Sequence, residues 1–300
     1  MVNWKRIPKI DAHIHLMPQD VIEANQGYEN RFVDFGDVDD YIRLMDAYHI
    51  EYAFMMPFND TYMMSMDFKV ESVHNNMVNM CRKSRNRLFA FADVDIRNDL
   101  KATIQELEQA LEQDEFLGVK IHPSNTGYPV DGTYYDGIFE WADKNSVLVE
   151  IHSYPRTHIL DDVCSPSRIK TIVKKYPDLR ISIAHMGGFQ YEELIQLGLY
   201  MNLSAILPDL TSKFGIEKTN EILRQFDIEK LVFATDYPDN RNLRPEEIYN
   251  KYFEILEQMD FTLGEAKKIC YCNAMKMIGR NKRIDRDRAV QVDSLAQMEE

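Results

Sequence analysis

Short apolar runs alternate along the chain with stretches in which apolar residues return every three or four positions. The short runs are rich in β-branched and aromatic residues and predict strands at 9–15, 51–56, 88–94, 117–122, 147–152, 180–185, 199–203 and 231–235. Helical spacing fills most of the intervals. Val38 to Tyr48 sets Tyr41, Leu44, Met45 and Tyr48 on one face, and Ala102 to Leu111, Phe139 to Asp143, Ile169 to Tyr176, Thr219 to Phe226 and Ile248 to Met259 follow the same rule. Asp99 and Ser165 stand at predicted N-caps, with Pro166 at the first helical position. Residues 262–279 predict a further helix.

Eight strands alternating with helices, without a composition break or long linker, predict an α/β fold: a (β/α)8 TIM barrel with an extra C-terminal helix. A doubly wound open sheet is the competing arrangement, but the first strand runs into His15-Leu16-Met17-Pro18, not a glycine-rich phosphate cradle. The interval between the sixth and seventh strands is short, so its crossover helix must be short. The expected domain is 1–280, followed by a charged, peripheral tail at 281–300.

A chain of 300 residues, 45% of them hydrophobic, suffices for one large core. No segment approaches the ~18–20 apolar residues of a membrane span, and Met1 to Arg6 leads into no apolar signal core, which predicts a cytoplasmic protein that does not engage a membrane. The net charge of -14 argues against nucleic acid as a partner, since no basic stripe exists to displace counterions. Cys81, Cys164, Cys270 and Cys272 have neither disulfide-framework nor zinc-finger spacing and read as buried free thiols. The Tyr62-Met63-Met64-Ser65-Met66 cluster reads as loop packing, not copper chemistry.

Candidate chemistry begins at Asp11-Ala12-His13-Ile14-His15. Residues two apart on a strand point the same way, so His13 and His15 share a face and make half of a metal site. His122, His152, His185 and Asp236 end the fourth, fifth, sixth and eighth predicted strands. In a barrel of this kind the active site is built at the carboxyl ends of the strands, so six metal- or proton-competent residues converge on one mouth. On the following loops Arg156, His158, Arg241 and Arg244 are candidates for gripping a substrate carboxylate, though each reads equally as a solvated loop charge. His49 and His74 fall in predicted helices away from the mouth and read as structural.

Asp-Ala-His-Ile-His at strand one, Gly-Val-Lys-Ile-His-Pro at strand four, Glu-Ile-His at strand five, Ile-Ala-His-Met-Gly-Gly at strand six and Phe-Ala-Thr-Asp-Tyr-Pro at strand eight together resemble the amidohydrolase superfamily. The likeness runs from about residue 9 to Gly279 and is greatest to the amidohydrolase-related (amidohydrolase 2) branch, which includes the aminocarboxymuconate semialdehyde and resorcylate decarboxylases. The resemblance implies a divalent metal on His13, His15, His152 and Asp236. His185 would then hold or polarise water or substrate, and Asp236 would also take a proton. Three imidazoles and a carboxylate suit one Zn2+, with Mn2+ or Fe2+ as alternatives. Two metals follow instead if Lys120 is carbamylated. Otherwise Lys120 reads as a core ion pair with Glu150, and His122 as a neighbour of the ligands or of the substrate.

The leading expectation is a metal-dependent hydrolase acting on a small C–N or C–O bond, as in an amide, cyclic amide or lactone. A metal-dependent non-oxidative decarboxylase is the second, and a non-catalytic metal-binding barrel the third. The partner expected is a small-molecule substrate, and association into a homo-oligomer stays open.

Overall fold

All eight predicted strands form and run parallel, in chain order, around a barrel: β1 Lys9–Ile14, β2 Ile50–Met55, β3 Leu88–Asp93, β4 Phe116–Ile121, β5 Val149–His152, β6 Ile181–Ala184, β7 Tyr200–Asn202 and β8 Leu231–Val232. The computed structural model describes residues 2–25, 27, 31–57, 70–94, 99–159, 161–239 and 243–279; the methionine cluster at 62–66, Arg241 and the tail at 281–300 lie outside the described residues. β1 and β8 meet through Ala12 N–H to Phe233 O (3.0 Å), Asp236 N–H to His13 O (2.9 Å) and His15 N–H to Tyr237 O (2.7 Å).

This seam carries a buried carboxylate. Asp11 Oδ2 accepts from Thr235 Oγ1 (2.6 Å) and Tyr249 OH (2.7 Å), and its Oδ1 accepts from Thr235 N–H (3.0 Å). Asp11 thus points outward, to the helix Pro245–Leu256 that carries Tyr249. Simple alternation would send His13 the same way. A register shift in β1 between Asp11 and Ile14 breaks the alternation, and His13 faces the barrel interior. A second shift lies between β3 and β4, where Ala90 faces Phe116 and Phe91 faces Gly118. Gly118 is required there, because a Cβ would sit 2.3 Å from Leu148 O.

The larger apolar cluster lies between the strands and the surrounding helices; a smaller one, including Ile10, Phe54, Phe91, Leu148 and Val232, packs with Tyr271, Ala274 and Met277 of the last helical segment. That segment, from Leu263 to Ile278 with a wider turn at Lys268–Cys272, is the predicted extra helix. Asn273 Nδ2 fastens it to Ile228 O (2.6 Å) and Leu231 O (2.8 Å), below the start of β8 and opposite the histidines. Asp99 caps its helix through Ala102 N–H (3.0 Å). Ser165 occupies its N-cap position without capping, its Oγ lying 2.9 Å from Ser167 Oγ.

Among the described residues, five α-helices lie outside the predicted spans: Val70–Lys83, expected only as a helix around His74, and Gln19–Ala24, Arg31–Phe35, Pro123–Thr126 and Ile206–Phe214. The first contains Asn75, Asn76 and Asn79, poor helix formers, and is held by the buried face of Val73, Met77, Val78 and Cys81. His49 sits not in a helix but in the turn before β2. Between β6 and β7 the short crossover is a kinked 3-10 segment, His185–Leu197. The four cysteines are free, and Cys272 alone is partly exposed. Among the described residues no helix is long and apolar enough to cross a membrane.

Candidate metal centre

The segments that follow β4, β5, β6, β7 and β8 surround a cavity of about 670 Å³ whose wall includes His152, Tyr154, Arg156, His185, Asp209 and Asp236. His185 and Asp236 reach it through left-handed backbone, at φ 62° and 67°. In regular β6, His185 would share the outward face of Ile181 and Ile183, which pack with the helices; the left-handed turn brings it in.

Three residues form the tightest grouping: His13, His185 and Asp236 each offer a ligand atom within 4.8 Å of the others. His15 Nε2 lies 3.4 Å from Asp236 Oδ1, and His13 Nε2 lies 3.3 Å from the same oxygen. His152 Nδ1 lies 3.1 Å from His185 Nε2. The His122 ring stacks on His152, with centroids 3.9 Å apart, and its Nδ1 accepts the Asn125 N–H (3.2 Å). All six predicted residues therefore form a continuous set of side-chain contacts, with His122 behind His152.

The substrate-side candidates divide. Arg156 lines the cavity; Asp162 Oδ2 accepts its Nε–H at 2.9 Å, which orients the guanidinium. His158 is exposed and is not among the residues lining the cavity. Arg244 is an exposed N-cap whose backbone N–H donates to Glu247 Oε2 (2.6 Å). Lys120 is buried, and its Nζ has no hydrogen-bond partner among the described residues. The expected Lys120–Glu150 contact gives way to another: Glu150 Oε1 instead meets His13 Nδ1 (3.1 Å) and Asn202 Nδ2 (2.6 Å), closer partners that pack on the same interior face.

Burial lowers the pKa of His13, His122 and His152 well below the usual histidine value, reinforced by the charge of Lys120, and takes His185 to about 4. Burial also lowers Lys120 to about 8 and raises Glu150. Burial alone would raise Asp236 as well, but the His15 hydrogen bond and the His185, His15 and Lys120 charges outweigh it and hold the carboxyl below its ordinary value. The site thus combines neutral imidazoles with an ionised carboxylate at neutral pH.

Hydrogen-bond direction then follows. A carbonyl oxygen only accepts, so the contact of His185 Nδ1 with Ser204 O (2.9 Å) places the ring proton on Nδ1. His185 Nε2 is then an acceptor, His152 Nδ1–H donates to it, and His152 Nε2 keeps a lone pair. By the same logic His13 Nδ1–H donates to Glu150, and its Nε2 lone pair faces Asp236 Oδ1. Two electron-rich atoms 3.3 Å apart, with further neutral imidazoles beside them, form a donor set that fits a divalent cation.

Glu150, Asn202 and Ser204 were missed as site residues. The available signal was in β7 and its extension, where Asn202 and Ser204 place polar side chains two apart at the carboxyl end of an otherwise apolar strand.

A family model described as Amidohydrolase matches residues 10–280. A search of curated protein sequences gives no match. Among solved structures, the chain is similar to a probable 2-pyrone-4,6-dicarboxylic acid hydrolase from Acinetobacter baumannii with citric acid bound, at 14% identity, 91% of this chain, 100% of that chain and a TM-score of 0.64. It is also similar to 2,6-dihydroxybenzoate decarboxylase from Rhizobium, at 15% identity, 91% of this chain, 98% of that chain and a TM-score of 0.65. A third is 5-carboxyvanillate decarboxylase from Novosphingobium aromaticivorans, complexed with manganese and 4-hydroxy-3-methoxy-5-nitrobenzoic acid, at 16% identity, 91% of this chain, 96% of that chain and a TM-score of 0.66. At these identities the likeness is one of fold.

Proposed function

The chain belongs to the amidohydrolase family, and from that premise we propose that it is a metal-dependent hydrolase splitting a C–N or C–O bond in a small, carboxylate-bearing molecule. The observation that carries the reading is the meeting of His13 and His15 on one oxygen of Asp236, at the wall of a cavity that also holds His152, His185 and Arg156. His13, His15, His152 and Asp236 are the proposed ligands. His152 is preferred to His185 because its Nε2 lone pair is free, whereas His185 Nε2 already accepts from His152. A divalent cation held there, zinc by the donor set, supplies Lewis acidity that polarises a substrate oxygen and makes water more acidic.

The chain's own groups do the rest. Asp236, ionised and partly open to the cavity, takes a proton from the attacking water. His185, within 4.8 Å of both His13 and Asp236, takes up the water or the substrate when its Nε2 gives up the His152 Nδ1–H. Arg156 turns the guanidinium edge not engaged by Asp162 to a substrate carboxylate.

Non-oxidative decarboxylation is the second reading, favoured by the two decarboxylases among the structural relatives. It keeps the same ligands and Arg156, with proton transfer to carbon replacing attack by water. A panel of lactones, esters and amides set against carboxylated aromatics and muconates separates the two. Hydrolysis in the first arm supports the leading reading. Carbon dioxide release without incorporation of solvent oxygen overturns it. Elemental analysis of the purified protein tests the premise: near one metal per chain supports the site, near two supports a carbamylated Lys120, and none that binds on addition removes it.

A further inference from the structure

Two buried side chains at the end of β7 touch both halves of the site. Asn202 Nδ2 donates to Glu150 Oε1 (2.6 Å), the oxygen that also meets His13 Nδ1 (3.1 Å). Asn202 Oδ1 accepts from the His185 N–H (3.1 Å), the Ser204 N–H (3.3 Å) and Ser204 Oγ (2.5 Å). Since the Ser204 hydroxyl hydrogen goes to Asn202, its Oγ is left as an acceptor 2.9 Å from His185 Nδ1, beside the Ser204 carbonyl at the same distance. A tight turn presents that carbonyl: Ile206 N–H donates back to Ser204 O (2.5 Å) across Ala205 at φ 57°, ψ -42°, a strained conformation for a residue with a Cβ.

The Asn202 amide has only one consistent orientation. Turning the Asn202 amide over would set its oxygen against the Glu150 carboxylate and its NH2 against three donors. With the amide fixed, Glu150 is held as an acceptor facing His13, and Ser204 is held as an acceptor facing His185.

We propose that Asn202 and Ser204 are positioning residues that set the proton positions of both site imidazoles, keeping His13 and His185 protonated on Nδ1 and the lone pair on Nε2, where it faces Asp236 and the cation site for His13 and His152 for His185. The consequence for metal affinity rests on the metal-site reading above; the proton positions do not. Two arms of the network can be cut separately. Asn202→Asp keeps the acceptor that serves His185 and Ser204 but loses the donor to Glu150. Ser204→Ala removes the second acceptor on His185 and leaves Glu150 alone.

The test uses the full chain, metal-free and 15N-labelled, with long-range proton–nitrogen correlation of the imidazoles to read each tautomer. Zinc binding by competition titration and the unfolding midpoint are measured alongside. Wild-type His13 and His185 are expected as the Nδ1–H forms. Asn202→Asp is expected to mix the His13 tautomers and weaken zinc by about 10–100-fold, as loss of a ligand's hydrogen-bond partner does elsewhere. Ser204→Ala keeps the residue-204 carbonyl on His185 Nδ1 and loses only the second acceptor, so it should admit a minor Nε2–H population of His185, and Ser204→Thr should restore the wild-type pattern. Wild-type rings found as Nε2–H overturn the proposal without any variant. So do variants that lower the unfolding midpoint while tautomers and zinc affinity stay as in the wild type. A wild type that shows the expected tautomers but binds no zinc upholds the positioning role and removes the metal reading.

Discussion

Asp236 meets His13 Nε2 at 3.3 Å and His15 Nε2 at 3.4 Å through one oxygen, and the same side chain is open to the cavity. Asp236→Asn preserves shape but not basicity, so bound metal should weaken while turnover falls by ~10²–10⁴-fold. Steady-state rates with metal in excess check this, and full activity would remove β8 from the chemistry. His185→Asn should keep metal content near normal while the rate falls, whereas His13→Ala should empty the site and regain part of its activity in excess metal. Loss of metal from His185→Asn as complete as from His13→Ala would make His185 a ligand.

A different histidine reports on acid stability. His74 is buried, its Nε2 accepts the Asp93 N–H at 2.9 Å, and burial lowers its pKa from 6.5 to about 4. Between those two values the unfolded chain binds a proton that the native protein does not. The stability tied to neutral His74 is therefore whole above pH 6.5 and lost as pH falls toward 4, by at most about 3 kcal/mol. The site histidines shift in the same direction, so the contrast with His74→Gln isolates this residue. Denaturant melts from pH 7 to pH 4 should show a shallower loss in the variant; parallel curves would refute the assignment.

Among the elements, the β1–β8 seam depends on one buried carboxylate. Asp11→Asn either sets its NH2 against the Thr235 N–H, donor to donor, or turns it to the Thr235 and Tyr249 hydroxyls, which must then give up donating and accept. A stability loss of about 1–3 kcal/mol is expected from such an unmade buried bond. Because the seam also carries Asp236 N–H to His13 O, metal affinity should fall with it. An unchanged denaturation midpoint would show that the seam does not rely on Asp11. At the end of β7, Ala205→Gly should relax the turn at φ 57° and change global stability little or favourably, because glycine tolerates positive φ. Thermal unfolding of the metal-free protein gives the answer, and a marked loss would mean that the alanine methyl carries packing which outweighs the strain.

For the whole molecule, a cation bound only by the native state adds RT ln(1 + [L]/Kd), about 2.7 kcal/mol at a hundredfold excess over Kd. The unfolding midpoint should therefore rise with added zinc and fall with a chelator, and a midpoint indifferent to both would count against a native metal site. The ligand candidates come from β1, β5 and β8, with His185 after β6, so such binding ties together most of the barrel.

Apolar periodicity and strand-end residues were enough for the eight strands, their order, the closing helix and the gathering of His13, His15, His152, His185 and Asp236 at one end of the barrel. Apolar periodicity and strand-end chemistry are local properties that survive without knowledge of contacts. The bounds of the helix Val70–Lys83 around His74 were not legible, because its asparagines have weak helical preference and its stability comes from a face buried against the barrel. Which way a side chain pointed was likewise left to the tertiary structure. The β1 register shift separates His13 from Asp11, and positive φ turns His185 away from the face of Ile181 and Ile183. Both are departures from alternation that depend on neighbouring strands. Glu150 on β5 meets Asn202 on β7 and His13 on β1, not its expected partner Lys120, because hydrogen-bond partners two and four strands away in order come together only once the barrel is closed.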